Sequence, residues 1–196
     1  MEDKFKYVVV DSLDTELQHK VDDFRQNNSR TDNCGVGGVD REEDLQEHVD
    51  KYCSNRNIAK WILVFDGEVV VGMAAVFFRE IQFLGIFIKL GGVGKVRVSE
   101  DHRNLGIASK MMKEAMKQLH NVGASVALLC TNTESFLVDF YRKYGFELLC
   151  RPYKFVGKSG KEYVDEEGMI APVDSKEIYN LIMQSGELLD IGLGNW

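Results

Sequence analysis

Two prolines in 196 residues leave no room for a proline-rich linker, and no segment repeats itself, which excludes solenoids and tandem arrays. No apolar run approaches the about eighteen residues that a spanning helix needs. The opening MEDKFKYVVV carries acid where a secretory leader needs base, so the chain is expected in the cytoplasm, with no membrane partner. Cys34, Cys53, Cys130 and Cys150 lack any CxxC pairing, which fits reduced thiols. His19, His48, His102 and His120 show no paired ligand spacing and lie in charged segments; they read as solvated surface residues, and no metal is expected. Basic charge is also short. With 24 Lys and Arg against 31 Asp and Glu the net charge is −7, which argues against nucleic acid as the ligand and for a cationic small molecule.

What is present is ordinary for a globular chain, 44% hydrophobic and 28% charged, and long enough to bury a core without disulfides. Phe5 to Val10 is an apolar, β-branched run that predicts a strand. Leu13, Leu17, Val21 and Phe24 then share one helical face. Gln26 to Asp40 is polar and glycine-rich, a loop whose length suits substrate contact. Leu45, Val49 and Tyr52 mark a second helix. Trp61 to Phe65, Asp66-Gly67 and Val69 to Phe78 predict a hairpin, and Leu84-Gly85 a second turn. Gly91, Gly92 and Gly94 precede a strand instead of joining a strand to a helix, so they fail the context of a dinucleotide fingerprint.

Ala108, Met111, Met112, Ala115, Met116 and Leu119 form a helical stripe, followed by a strand over Ser125 to Cys130. Phe136, Leu137, Phe140, Tyr141 and Tyr144 give a helix stopped at Gly145, with Phe146 to Cys150 as the next strand. An antiparallel meander followed by alternating helices and strands predicts a mixed α/β fold with helices on both faces of the sheet. Beyond Arg151, Lys158 to Lys161 reads as a hairpin turn and Met169 to Ala171 as a short strand. Lys176 to Leu189 reads as a helix with Ile178, Leu181, Ile182 and Leu188 inward, and the tail from Asp190 ends on an exposed Trp196.

The stretch Val96 to Lys110 is an apolar strand that turns through a polar loop into a glycine-opened helix. Free N–H groups in the first turn and the positive end of the helix dipole make a site for phosphate, and a Cβ at Gly106 would hold the anion away. Arg103-x-x-Gly106-x-Ala108 resembles the pyrophosphate loop of the GCN5-related N-acetyltransferase (GNAT) family. Phe140-Tyr141-Arg142-Lys143-Tyr144-Gly145-Phe146 resembles that family's second signature. The resemblance covers Trp61 to Arg151. It implies the GNAT fold, a central, mixed, mostly antiparallel, splayed sheet, with acetyl-CoA as cosubstrate. Val96, Arg97 and Val98 would then run along the pantetheine arm. Arg103, Asn104, Leu105, Gly106, Ile107, Ala108 and Ser109 would surround the pyrophosphate, and Tyr141 would protonate the leaving thiolate. Where members of the family carry an acid on the strand before the loop, this chain has Gly94-Lys95; Glu134 is one substitute base and solvent another. His102, beside the loop, is placed to touch the adenine or ribose.

A finer resemblance, to the aminoglycoside 2′-N-acetyltransferases, rests on Trp61 with the Asp66-Gly67 hairpin, Val71 to Val76, Gly85, and Glu187-Leu-Leu-Asp190 before a glycine-rich tail closing on Trp196. It implies acceptor contacts at Asp32, Asp40, Glu134, Asp165, within the acidic run Asp165-Glu166-Glu167, and Trp196, the last through a terminal carboxylate. Gly94 and Gly194-Asn195 depart from that pattern. The expectation is one domain over residues 1–196: an N-terminal part with the acceptor loop (1–60), an acetyl-CoA-binding core (61–151) and a C-terminal hairpin, helix and tail (152–196). Its activity would be acetyl transfer to a primary amine of a small cationic molecule by direct attack in a ternary complex. A sensor that binds acyl-CoA without turnover, a protein N-acetyltransferase, and pairing as a homodimer stay open.

Overall fold

The computed structural model describes residues 4–28, 42–52 and 55–196. Strand β1 (Lys6–Val10) is followed by helices α1 (Thr15–Asn27) and α2 (Glu42–Tyr52), then by a meander of β2 (Ile58–Asp66), β3 (Val69–Phe83) and β4 (Ile86–Val98). Helix α3 (Ile107–Asn121), β5 (Val126–Cys130), α4 (Leu137–Arg142) and β6 (Glu147–Leu148) complete the middle of the chain. The last part is β7 (Tyr153–Val156), β8 (Glu162–Asp165), β9 (Gly168–Pro172), α5 (Lys176–Gln184) and β10 (Leu189–Leu193). The large sheet has the order β1-β2-β3-β4-β5-β9-β6 and is antiparallel except at β4–β5.

Both faces of this sheet are covered, and the period-2 alternation of a strand shows how. Trp61, Leu63 and Phe65 of β2 join one cluster with Val21 and Phe24 of α1 and Ile182 of α5. Ile62 and Val64 join the other, with Met111, Met112 and Ala115 of α3 and Val138 of α4. The first hairpin forms one residue beyond the expected Asp-Gly: Asp66 pairs with Val69 across Gly67 and Glu68. The second turn has Leu84 and Gly85 both at positive φ, 50° and 78°, as a two-residue hairpin loop demands.

Three expectations need correction. Gly91, Gly92 and Gly94 do not precede a strand; they lie inside β4. A Cβ at Gly91 would strike Leu119, and one at Gly92 the indole of Trp196, so these positions are bare because other groups occupy the space. The C-terminal helix stops at Gln184, leaving Leu188 exposed. Apolar residues that continued its period belong to another period: Leu189 and Ile191 alternate inward on β10, which pairs in parallel with β7 in a second sheet ordered β10-β7-β8. Trp196 is not exposed either. It is 6% accessible, stacked on Phe77 at 5.0 Å between centroids, with the Arg79 guanidinium 3.8 Å from its ring.

The strands β4 and β5 pair from Leu90–Val126 to Gly92–Leu128. Past that point the polar groups of β5 turn to Trp196: its indole N–H donates to the Leu128 carbonyl at 2.9 Å, and the Cys130 N–H donates to its main-chain oxygen at 3.2 Å. No helix among the described residues is long and apolar enough to cross a membrane.

Candidate active site

Where β4 ends, the chain departs from regular pairing. Met73 faces Arg97 while Ala75 faces Gly94, so Lys95 and Val96 form a bulge opposite Ala74, with Lys95 at φ 55°. A 3₁₀ turn over Glu100–His102 follows, then Asn104 at φ 61° and Gly106 at φ 80°, the N-cap of α3. The first intrahelical bond runs from Lys110 N–H to the Gly106 carbonyl. The preceding N–H groups therefore have no carbonyl of their own helix to meet. A Cβ at Gly106 would meet nothing within 4 Å, so the space before the helix is open. Gly72 holds α3 close: a Cβ there would lie 3.1 Å from Ile107.

These groups line a cleft of about 1110 Å³. Val96, Arg97, Val98, Arg103, Asn104, Gly106, Ile107, Ala108 and Ser109 all face it. Leu105 is 54% exposed and does not line it, because it sits between two left-handed residues that turn it outward. Tyr141 reaches the same cleft from α4, buried and edge-on to Phe140 and Phe146. The Tyr144 hydroxyl donates to the Ser109 carbonyl at 3.2 Å, tying the turn after α4 to the first turn of α3. Sequence reasoning passed over Ser99, Phe136, and Lys20 and Phe24 of α1, which also line the cleft. Only their position in the assembled fold could have identified them. His102 is likewise no solvated residue: its side chain is 22% exposed and turned into the loop.

The residues expected to hold an acceptor fall into two groups. Asp32 and Asp40 lie outside the described residues. Asp165 and Trp196 meet near the end of β5, where Glu134 also contributes its charge. Asp165 accepts from the Tyr52 hydroxyl at 2.9 Å, from Asn195 Nδ2 at 3.1 Å and from the Glu167 N–H at 2.8 Å, and the Cys130 thiol lies 3.7 Å away. Asn195, 1% exposed, also donates to the Tyr153 hydroxyl and accepts from the Trp196 N–H. Glu167 belongs with Asp165 and Glu166 to the acidic run expected at the acceptor. Burial, followed by the charges of Asp165 and Glu134, pushes its carboxyl above the ordinary range. Among the described residues no Lys or Arg pairs with Glu134, Asp165 or Glu167.

Ligand atoms of Cys130, Asp165 and Glu167 come within 4.8 Å of one another. Burial, followed by Asp165, pushes the Cys130 thiol up to about 12, so at neutral pH it is protonated and a poor metal ligand. Glu134 lies three residues before α4, its N–H donating to Asn132 Oδ1 at 2.9 Å.

Comparison with known proteins identifies the family and the fold. Residues 21–149 match the acetyltransferase (GNAT) domain family. The uncharacterized N-acetyltransferase YjcF of Bacillus subtilis (strain 168) is 28% identical over 120 residues, which is 61% of this chain and 70% of that one. Among solved structures, the GNAT family N-acetyltransferase YhbS of Escherichia coli in complex with CoA superposes with a TM-score of 0.57 at 14% identity, over 98% of this chain and 92% of that one. A GNAT family acetyltransferase of Brucella melitensis in complex with acetyl-CoA gives 0.51 at 18% identity, over 72% and 83%. Two larger solved chains, from Enterococcus faecalis and Kribbella flavida, are matched over 33% and 35% of their length.

Proposed function

The chain belongs to the GNAT acetyltransferase family, whose cosubstrate is acetyl-CoA, and from that premise we propose that it acetylates a primary amine of a small cationic molecule by direct attack in a ternary complex. The observation that carries the reading is convergence: a left-handed glycine opening α3 and a buried tyrosine on α4 face one cleft. The N–H groups of Ile107, Ala108 and Ser109, with the positive end of the α3 dipole, hold the diphosphate. The bulge at Lys95 and Val96 leaves polar groups outside the strand ladder, where the pantetheine arm and the thioester oxygen find donors. As the amine nitrogen bonds to the carbonyl carbon, the C–S bond breaks and Tyr141 gives its phenolic proton to the thiolate.

On the acceptor side, three carboxylates that have no Lys or Arg partner among the described residues suit an ammonium group. Asp165 already accepts three hydrogen bonds that hold its carboxyl in place, while Glu167, with its raised proton affinity, takes the proton that the attacking amine loses. Glu134 adds charge, and the main-chain oxygen of Trp196 offers an acceptor at the parting of β4 and β5. The experiment is a melting shift with CoA, followed by thiol release from acetyl-CoA over a panel of amines and peptides. Gly106→Val should abolish the melting shift, since a branched side chain would fill the open space and strain a positive φ. A shift that survives in this variant refutes the assignment of the loop. A shift in the native chain with no thiol release for any acceptor would make it a sensor.

A further inference from the structure

Ser99, His102 and Asp66 form a hydrogen-bonded relay along the wall of the cleft that the transfer chemistry does not use. The Ser99 hydroxyl lies 2.8 Å from His102 Nδ1, and His102 Nε2 lies 3.2 Å from Asp66 Oδ2. The fold fixes both ends. The Ser99 N–H donates to the Val71 carbonyl at 2.9 Å, the His102 N–H donates to the Ser99 carbonyl at 3.0 Å, and Asp66 closes β2. Ser99 and His102 both line the cleft, next to Arg103 and the opening of α3.

The protonation state of the imidazole decides which way the hydroxyl points. In the neutral ring, a proton on Nε2 serves Asp66, so Nδ1 is an acceptor and the Ser99 hydroxyl must donate to it. In the cationic ring both nitrogens donate; Ser99 Oγ becomes the acceptor, and its own O–H is released to donate elsewhere. The charged state thus supplies two things that an anion in the cleft favours, a positive ring and a free hydroxyl donor. Asp66 faces Nε2 of the ring, with Glu100 and Asp101 the other acids of the loop. Lys4 lies 3.7 Å from the same Asp66 oxygen, Arg103 pairs with Glu100 at 3.4 Å, and the Phe5 ring meets the imidazole edge-on at 5.8 Å.

We infer that binding of a diphosphate-bearing ligand in this cleft is coupled to uptake of one proton by His102, with the Ser99 hydroxyl as a donor to the ligand's phosphate oxygens. The inference rests on the proposed acyl-CoA site. Linkage sets the sign: the ring binds its proton more tightly with ligand present, so affinity is highest below the free ring's titration and falls as pH rises through that of the complex. A one-unit rise on binding corresponds to about a tenfold change in Kd, and an effect of that order is expected between pH 6 and pH 8.

The probe is dephospho-CoA, which keeps the diphosphate but lacks the phosphate monoester that would itself titrate near pH 6. Calorimetric titration in two buffers of different ionisation heat should report net proton uptake by the native protein, and none by His102→Gln. Ser99→Ala should bind more weakly at pH 6 and lose most of the pH dependence. In the unmutated chain, NMR titration of the His102 ring should show a higher pKa with dephospho-CoA than without it, a reading that needs no variant. Binding with no proton uptake and an unmoved ring titration overturns the inference and leaves the acyl-CoA site intact. Absence of dephospho-CoA binding at every pH overturns the site itself.

Discussion

The phosphate-facing loop and the acidic cluster at the end of β5 are both candidate parts of one active site, yet they are built in opposite ways. The loop is a contiguous run whose shape follows from three left-handed residues, Lys95, Asn104 and Gly106, the last being the glycine that opens α3. The cluster is gathered from α2, β5, β8 and the C-terminal tail, with hydrogen-bonded partners 113, 35 and 30 residues apart. A local device can be altered at one residue and lose ligand while the protein stays folded. A cluster assembled by tertiary structure carries stability and chemistry together, so changes there should move both.

The largest expected effect tests the packing beneath the cluster. Trp196→Ala should cost about 3–5 kcal/mol in urea unfolding, since a buried indole stacked on Phe77 and bonded to Leu128 is removed. The folded fraction should bind CoA as before; weakened CoA binding would show that the two regions are not separable. Tyr141→Phe should lower kcat by about a hundredfold while preserving the CoA melting shift. A loss below about twofold with chemistry rate-limiting would make Tyr141 a packing residue.

Glu167→Gln sharpens the contrast because it should move two quantities in opposite directions. Turnover should fall by about tenfold, less than for Tyr141, since water can replace a base more readily than an enclosed acid. Stability should rise. A carboxyl whose folded pKa is raised weakens the fold as pH climbs from the ordinary Glu range through its raised value, and glutamine escapes that loss. Melting curves across that window should therefore diverge in the variant's favour; curves that stay parallel would mean Glu167 feels no net repulsion. The smallest effect is ionic: added salt should raise the Michaelis constant for a cationic acceptor a few-fold and leave acetyl-CoA less affected. Equal sensitivity for both would remove the acidic cluster from acceptor binding.

The same local-versus-assembled contrast explains what the sequence disclosed. The helix stripe of α3, the turn at Leu84-Gly85, and the residues from Val96 to Ser109 are set by neighbours a few positions away, so period and turn chemistry revealed them. The outward direction of the Leu105 side chain was not legible, because membership of a motif does not fix a side chain's direction between left-handed residues. The glycines of β4 were misread because their reasons lie far along the chain, Leu119 for Gly91 and Trp196, about a hundred residues on, for Gly92 and Gly94. β10 was hidden because Leu188 and Leu189 extend the helical period of α5, and only pairing with β7 settles the extended form. Glu167 stood in an acidic run beside Asp165 and Glu166; nothing in that run distinguishes the carboxylate that the fold half-buries from its exposed neighbour.

The left-handed residues Lys95 and Asn104 have a consequence for how the site spends its flexibility. A lysine held at positive φ sits about 1–2 kcal/mol above its relaxed state and stays there only because the surrounding fold over-determines it, whereas asparagine enters that region at lower cost. That cost is met when the protein folds and is absent from the binding step, so the loop meets its ligand already shaped and has little disorder left to lose. Glycine at either position should therefore make the empty protein more tolerant of heat while slackening the loop, a trade in which the gain in the unliganded state is drawn from the grip on the liganded one.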